Sequence, residues 1–201
     1  MTIEELLAKH AKNFIAEKDA PNYKPGLDGI QYNKNGCIYV VNGHVLLRIV
    51  GIMGREKTEI RHYKTGKVLD VKPWAFEKFF GDEFTGSFTI NPIELKKYIP
   101  SIRAAYAIEK FGILRLKSDG VSIQAANIDN ESFFLNLSDK FESDPYTIRS
   151  ITLDLNYLAD ILEFFSDAEV DEVWISIPNG FKPILFKALN YEVLLMPCRR
   201  V

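Results

Sequence analysis

The sequence predicts an α+β fold assembled from repeated units, each a strand, a helix and an antiparallel meander, with the helices on one face of the sheets. Two observations carry this. Phe88-Thr89-Ile90-Asn91 and Ile151-Thr152-Leu153-Asp154 open matching blocks about 60 residues apart, and a fixed period is the mark of repeated architecture. Asn35-Gly36, Asn42-Gly43 and Asp119-Gly120 interrupt apolar, β-prone runs with the dipeptides that tight hairpins favour, because such turns need positive φ.

At the N-terminus, Ile3, Leu6, Leu7, Ala11, Phe14 and Ile15 recur at helical spacing and predict an amphipathic helix from Ile3 to Lys18. Pro21, Pro25 and Gly26 break it. The stretch from Ile30 to Ile52 then reads as two or three strands joined at its two Asn-Gly turns. Weak strands are expected at Glu59 to Tyr63 and Val68 to Val71 around a Thr65-Gly66 turn. Pro73, followed by Trp74, Phe76, Phe79 and Phe80, predicts a short apolar helix ending at Gly81.

In the first repeated block Asn91 is the expected N-cap and Pro92 the first helical residue, with Leu95, Ile99 and Ile102 facing inward. Pro100 should bend this helix or end its first part. Strands are expected at Gly112 to Lys117, Val121 to Asn127 and Ser132 to Leu137. After a charged loop containing Pro145, the second block gives a strand, Asp154 as cap, and a helix with Leu155, Leu158, Leu162 and Phe165 on one face. Strands at Glu172 to Ile177, Pro183 to Leu189 and Tyr191 to Met196 complete it.

Composition narrows the function classes. The 201 residues are 47% hydrophobic and 26% charged, the balance of a globular chain with a real core. Apolar runs stay well short of the roughly 18 residues a membrane span needs, and Met1 to Lys12 is too charged for a signal peptide, so a cytoplasmic location is expected. Cys37 and Cys198 form no CxxC pair and are expected as buried small hydrophobes. His10, His44 and His62 stand apart in sequence, beside no nucleophile motif, and neither a P-loop nor GxGxxG occurs. The acidic stretches at 139–144 and 167–172 have the spacing of loops rather than of a metal or acid/base site. No catalysis, metal or cofactor is therefore expected.

The C-terminal run Tyr191-Glu192-Val193-Leu194-Leu195-Met196-Pro197-Cys198-Arg199 resembles the end of bacterial DNA polymerase III beta sliding clamps, where an aromatic and apolar strand leads into Met-Pro-x-Arg. Pro183-Ile184-Leu185-Phe186 is similar to that family's preceding strand. Val41-Asn42-Gly43-His44-Val45-Leu46 resembles the Thr-Asp-Gly-His-Arg-Leu segment of the clamp's middle domain. Asn42 stands in place of the acid, Val45 in place of the arginine, and Val201 extends one residue past the usual end.

This resemblance implies one and a half to two clamp domains: residues 1–86 as a shortened domain similar to the start of the middle one, and 87–201 as a complete one similar to the C-terminal domain. The family carries three domains per subunit, and by this resemblance no counterpart of the first is expected within these 201 residues. The two matched motifs imply a hydrophobic pocket for short peptides of polymerases or repair proteins, formed by Asn42, Gly43, His44, Val45, Leu46, Pro183, Leu194, Leu195, Met196, Pro197, Cys198 and Arg199. Read without the family, the same C-terminal residues are a strand packed in its own core. Along the strand, Leu194 and Met196 should face one side and Leu195 the other.

Lys9 and Lys12 lie opposite the first helix's apolar stripe, and Lys96, Lys97 and Arg103 on the next helix. All five are candidates to meet duplex DNA phosphates without reading sequence, and equally they suit a solvated face. Asp154, Asp160, Glu163 and Asp167 give the last helix no cation, which argues against a uniformly basic surface. The leading expectation is a sliding-clamp-like tether, which three such chains would close into a six-domain ring. Two others stand beside it: a clamp-derived peptide adaptor or competitor that does not encircle DNA, and a small enzyme with a polar cavity near His44 or the acidic loops.

Overall fold

The structure, a computed structural model, describes residues 1–21, 23–81, 83–126, 131–143, 149–178 and 181–198. It contains two compact units, one made of 1–82 with 189–194, the other of 83–188 with 195–201.

The first unit opens with α1 (Ile3–Phe14), started by a capping box in which Thr2 Oγ1 accepts from the Glu5 amide while Glu5 Oε2 accepts from the Thr2 amide. Leu6, Leu7, His10, Ala11 and Phe14 form its buried face. The helix ends at Phe14, short of the expected Lys18. Ile15 is extended, and the Ala16 amide donates to Leu27 O at 2.9 Å, giving Ala16 a backbone partner outside the helix; both residues stay buried.

Four antiparallel strands follow: β1 (Gly29–Tyr32), β2 (Ile38–Val41), β3 (Val45–Ile49) and β4 (Glu59–His62), in the order β4-β1-β2-β3. Both Asn-Gly turns fall where expected, with Gly36 at φ +80° and Gly43 at +93°. At Gly36 a Cβ would lie 2.3 Å from Ile52 O, so this turn also requires the absence of a side chain. The expected Val68 to Val71 strand is reduced to one bridge, Arg61 to Val68. In place of the helix expected after Pro73 there is a single 3-10 turn over Glu77–Phe80. The Gln31 carboxamide explains this, since it accepts from Trp74 N at 2.8 Å and donates to Trp74 O at 2.9 Å, holding that backbone out of helical geometry.

The second unit runs β5 (Phe84–Ile90), α2 (Pro92–Leu95), a 3-10 turn (Lys96–Tyr98), α3 (Ile99–Ile108), β6 (Phe111–Lys117), β7 (Gly120–Ala126), β8 (Ser132–Ser138), β9 (Glu142–Ser143), β10 (Ser150–Asp154), α4 (Leu155–Asp167), β11 (Val173–Pro178) and β12 (Ile184–Ala188). Its strands are ordered β12-β11-β5-β9 and β10-β6-β7-β8. Each of the two blocks thus supplies a strand, a helical segment and a meander, as the repeat predicts. Asn91 and Asp154 cap their helices by accepting from Ile93 and Glu94 amides and from the Asn156 amide respectively. Pro100 sits in the first turn of α3, where the interruption was expected. Ile102 of α3 and Leu155, Ile161, Leu162, Phe164 and Phe165 of α4 are fully buried. Strand β9 was not foreseen; Asn127 and most of the Pro145 loop fall outside the described residues.

Strand β13 (Tyr191–Leu195) lies beside β3 and is buried at every residue. Both its faces are therefore covered, and the alternation separating Leu194 from Leu195 does not translate into one open face. Cys37 and Cys198 are free thiols, half-buried rather than buried. Among the described residues no helix is long and apolar enough to cross a membrane.

Candidate functional site

In the first unit the sequence between β2 and β3 is organised by one side chain. Asn42 Oδ1 accepts from His44 N at 2.9 Å and Val45 N at 2.8 Å, while its Nδ2 donates to Asn13 O at 3.3 Å. A carboxylate would keep the two acceptor contacts and lose the donor, so Asn42 ties the turn to the end of α1. Gly43 and His44 are exposed at the tip; Val45 and Leu46 point into the core. Leu194 is also buried in this unit. Only the turn itself, then, presents the predicted residues of this unit to solvent.

In the second unit Leu195 is fully buried, whereas Met196 is 38% exposed and Pro183, Pro197 and Cys198 are half-buried. The Cys198 amide donates to Thr152 O at 2.8 Å, laying the segment after β13 along β10. Burial pushes the Cys198 thiol above its ordinary pKa, with the nearby Asp154 adding to it. A raised pKa leaves less thiolate than an ordinary cysteine carries, which disfavours a nucleophilic role. Arg199 lies outside the described residues.

The predicted cations fall into two groups. Lys9 and Lys12 lie on the exposed face of α1. Those of the second unit meet α4 instead. Lys96 Nζ is 3.1 Å from Asp167 Oδ1. One guanidinium nitrogen of Arg103 reaches Asp160 Oδ1 at 2.8 Å and Glu163 Oε2 at 2.9 Å, and the other donates to Asn156 Oδ1 at 2.7 Å. Lys110 Nζ lies 3.5 Å from Asp154. Burial raises the Asp160 carboxyl above its usual range, with Arg103 opposing that shift. Lys97 is exposed, its ammonium 5.0 Å from the Tyr98 ring centroid.

Sequence reasoning noted the acids of α4 without their partners. The signal was present: Asn156, Asp160, Glu163 and Asp167 follow a four-three-four spacing and form a helical stripe, and Lys96, Arg103 and Lys110 recur every seven residues across a 3-10 turn, α3 and the segment after it. Asn156 and Lys110 were missed altogether.

Two of the three histidines are held by the fold, and His44 is exposed at its turn. His10 is 1% exposed inside the first unit. His62 Nδ1 accepts from the Lys64 and Thr65 amides, each at 3.3 Å, fixing the Thr65-Gly66 turn. Among the described residues no cluster of three or more His, Cys, Asp or Glu side chains could hold a metal ion. A cleft of about 260 Å³ opens between α3 and the ends of β7 and β8, but Ala104, Ala105, Ile108, Ala125 and Phe133 give it a mainly apolar wall without histidine.

No protein-family model matches the sequence, and no curated protein matches it. Solved structures do match the fold. The DNA polymerase III beta subunit of Thermotoga maritima superposes with a TM-score of 0.79 at 13% identity, covering 98% of this chain and 63% of that one. The DNA polymerase sliding clamp of Bacillus subtilis gives 0.78 at 12% identity, over 98% of this chain and 62% of the other. A sliding clamp of Pseudomonas aeruginosa bound to griselimycin gives 0.74 at 16% identity, over 99% and 64%. The chain thus spans less than two thirds of the clamps it matches, the extent of about two clamp domains, and over that length it has the α+β fold of the DNA polymerase III beta sliding clamps.

Proposed function

We propose that this protein is a non-catalytic, clamp-like tether that associates with duplex DNA independently of sequence and holds short peptides of a polymerase or repair protein. The observation that carries the reading is the superposition of 98% of the chain on a sliding clamp fold. In this proposal residues 87–201 act as one complete clamp domain and residues 1–86 as a shortened one. No cofactor or metal is required, and the protein works in the cytoplasm.

Peptide capture is proposed at Met196 and Pro197, with Pro183 of the same unit. An exposed thioether next to proline offers an adaptable apolar contact for a leucine or phenylalanine anchor. Met196→Ala should weaken a consensus clamp-binding peptide by about 2 kcal/mol, roughly thirtyfold. Isothermal titration reads this, and circular dichroism checks that the variant is folded. His44→Ala tests separately whether the Gly43-His44 turn contributes. Deleting Met196 to Val201 is the harsher version of the same test. Equal affinity in folded Met196→Ala would make the segment merely structural.

Ring closure is proposed as a head-to-tail trimer, since three two-domain chains give six domains. Strand β8 supports an edge contact: it is a seven-residue edge strand without Lys or Pro, and its Phe134 is 64% exposed. A strictly monomeric mass in solution would remove the ring. The second reading, a peptide adaptor or competitor that does not encircle DNA, is favoured by the ion pairs that occupy Lys96 and Arg103. Retention on circular DNA separates the two.

A further inference from the structure

The cations of the turn after α2, of α3 and of the segment after α3 meet the acids of α4 and its N-cap as an antiparallel ladder. Going up the first stripe, Lys96, Arg103 and Lys110 pair with Asp167, Asp160 and Asp154, in descending order along the chain. Glu163 and Asn156 complete the shell around Arg103. The acids are fixed and the cations are at the surface: the side chains of Asp160 and Asp167 are 6% and 8% exposed, against 36% for Arg103 and 55% for Lys96. The carboxylates belong to the core edge of α4 and cannot turn away, whereas a lysine or arginine on a long stem can change partner.

From this ladder we infer that Asp160, Glu163 and Asp167 are built-in phosphate surrogates, holding Lys96 and Arg103 in check so that the helix face of the second unit engages a nucleic-acid backbone only when those pairs open. The inference rests on the DNA-tethering reading above. Charge arithmetic favours it. Lys96, Lys97, Arg103 and Lys110 supply four positive charges along the ladder, and Asp154, Asp160, Glu163 and Asp167 supply four negative ones, leaving no net attraction for phosphate. Carboxylate and phosphate oxygens compete for the same donors, with the same planar, bidentate preference at arginine. An internal carboxylate at 2.8–3.1 Å, already in place, has the advantage over an incoming phosphate that must also displace its own counterions. Each ladder pair that persists therefore removes one cation from the DNA contact.

The test removes the surrogates rather than the cations. A fluorescent duplex of about three helical turns is titrated with the full-length protein across a salt series, for the native sequence and for Asp167→Asn combined with Glu163→Gln. Both changes keep side-chain shape and one acceptor oxygen while removing the charge, and thermal melting confirms the fold. The double variant should bind several-fold tighter at low salt, and the slope of log affinity against log salt should steepen by about one for each cation released. Should the double variant melt below the assay temperature, Asp167→Asn alone, which removes the charge facing Lys96, carries the test with a steepening of about one. Native protein that binds DNA, with a folded variant of unchanged slope, overturns the inference and leaves DNA tethering standing. Binding by the variant alone supports it outright. Binding by neither overturns both, because freed cations would then have no affinity for phosphate on this face.

Discussion

Arg48 of β3 and Glu192 of β13 are 144 residues apart in the chain and form a two-point ion pair, Nε and Nη2 both meeting Oε2. Their side chains are 18% and 7% exposed, and the Arg48 guanidinium also lies 3.7 Å from the Phe80 ring centroid. Beside them the Val50 amide donates to Asn190 O at 2.9 Å, so backbone and side chains fasten the same strand pair. Removing one partner leaves the other charge buried. Arg48→Met should cost about 3 kcal/mol or more in urea denaturation. Arg48→Met with Glu192→Leu should cost clearly less than the two single changes added together. An additive cycle would mean that the pair carries no coupling.

Gly112 marks the closest approach of β6 to α4. A Cβ there would lie 2.5 Å from Leu155 Cδ2 and 3.0 Å from Ile123 Cδ1, and both of those side chains are fully buried. Gly112→Ala should therefore destabilise the second unit by about 1–3 kcal/mol through overpacking. Leu155→Ala in the same background should recover part of that loss. A melting temperature unaffected by Gly112→Ala would show that the core yields without strain.

Glu59 links acidity to stability. The hydrogen bond from Arg61 holds its carboxyl below the usual range against the opposing effect of burial, and the charges of Arg61, Arg55 and Lys57 act in the same direction as that bond. A folded-state pKa below the unfolded one means that the ionised form stabilises the fold, fully above the ordinary glutamate range of about pH 4 to 5, with that stabilisation lost as pH falls from there through the depressed folded value. The stability difference between the native protein and Glu59→Gln should accordingly shrink as pH falls across this window. Denaturation series at several pH values measure it; a difference independent of pH would contradict the assignment.

On the DNA-tethering proposal, Lys97 and Lys96 should differ although they are adjacent. Lys97 is exposed beside Tyr98, while Lys96 is paired with Asp167. Lys96→Glu with Lys97→Glu should weaken DNA association in a salt-dependent way while peptide binding persists. Lys97→Glu alone should account for most of the change, lowering the salt slope by about one or more, and Lys96→Gln should change it little. Equal losses from the two single variants would show that the Asp167 pair does not hold Lys96 back.

Local sequence determined most of the element order. Helix caps at Asn91 and Asp154, the Asn-Gly turns and the helix break at Pro100 depend on interactions within a few residues, so their chemistry is legible without the fold. The repeat that begins at Phe88 and Ile151 is legible for the same reason, because each block carries its own period, cap and turns. Of the candidate site, the Asn42-Gly43 turn and the Met196-Pro197 segment could be singled out by their likeness to a known family, although which of their side chains reach solvent could not.

Contacts between distant residues decided the rest. Gln31 converts the expected helix after Pro73 into a single 3-10 turn by binding the backbone of Trp74, 43 residues away. The Leu27 carbonyl draws Ala16 out of α1. Covering both faces of β13 turns an alternating strand into a fully buried one. Most consequential, the acids of α4 find their partners 44 to 71 residues back in the chain, between Asp154 and Lys110 and between Asp167 and Lys96. Periodicity shows which side chains share a helix face, but the charge that face presents depends on what the neighbouring helix sets against it, and only the packing of α3 on α4 fixes that.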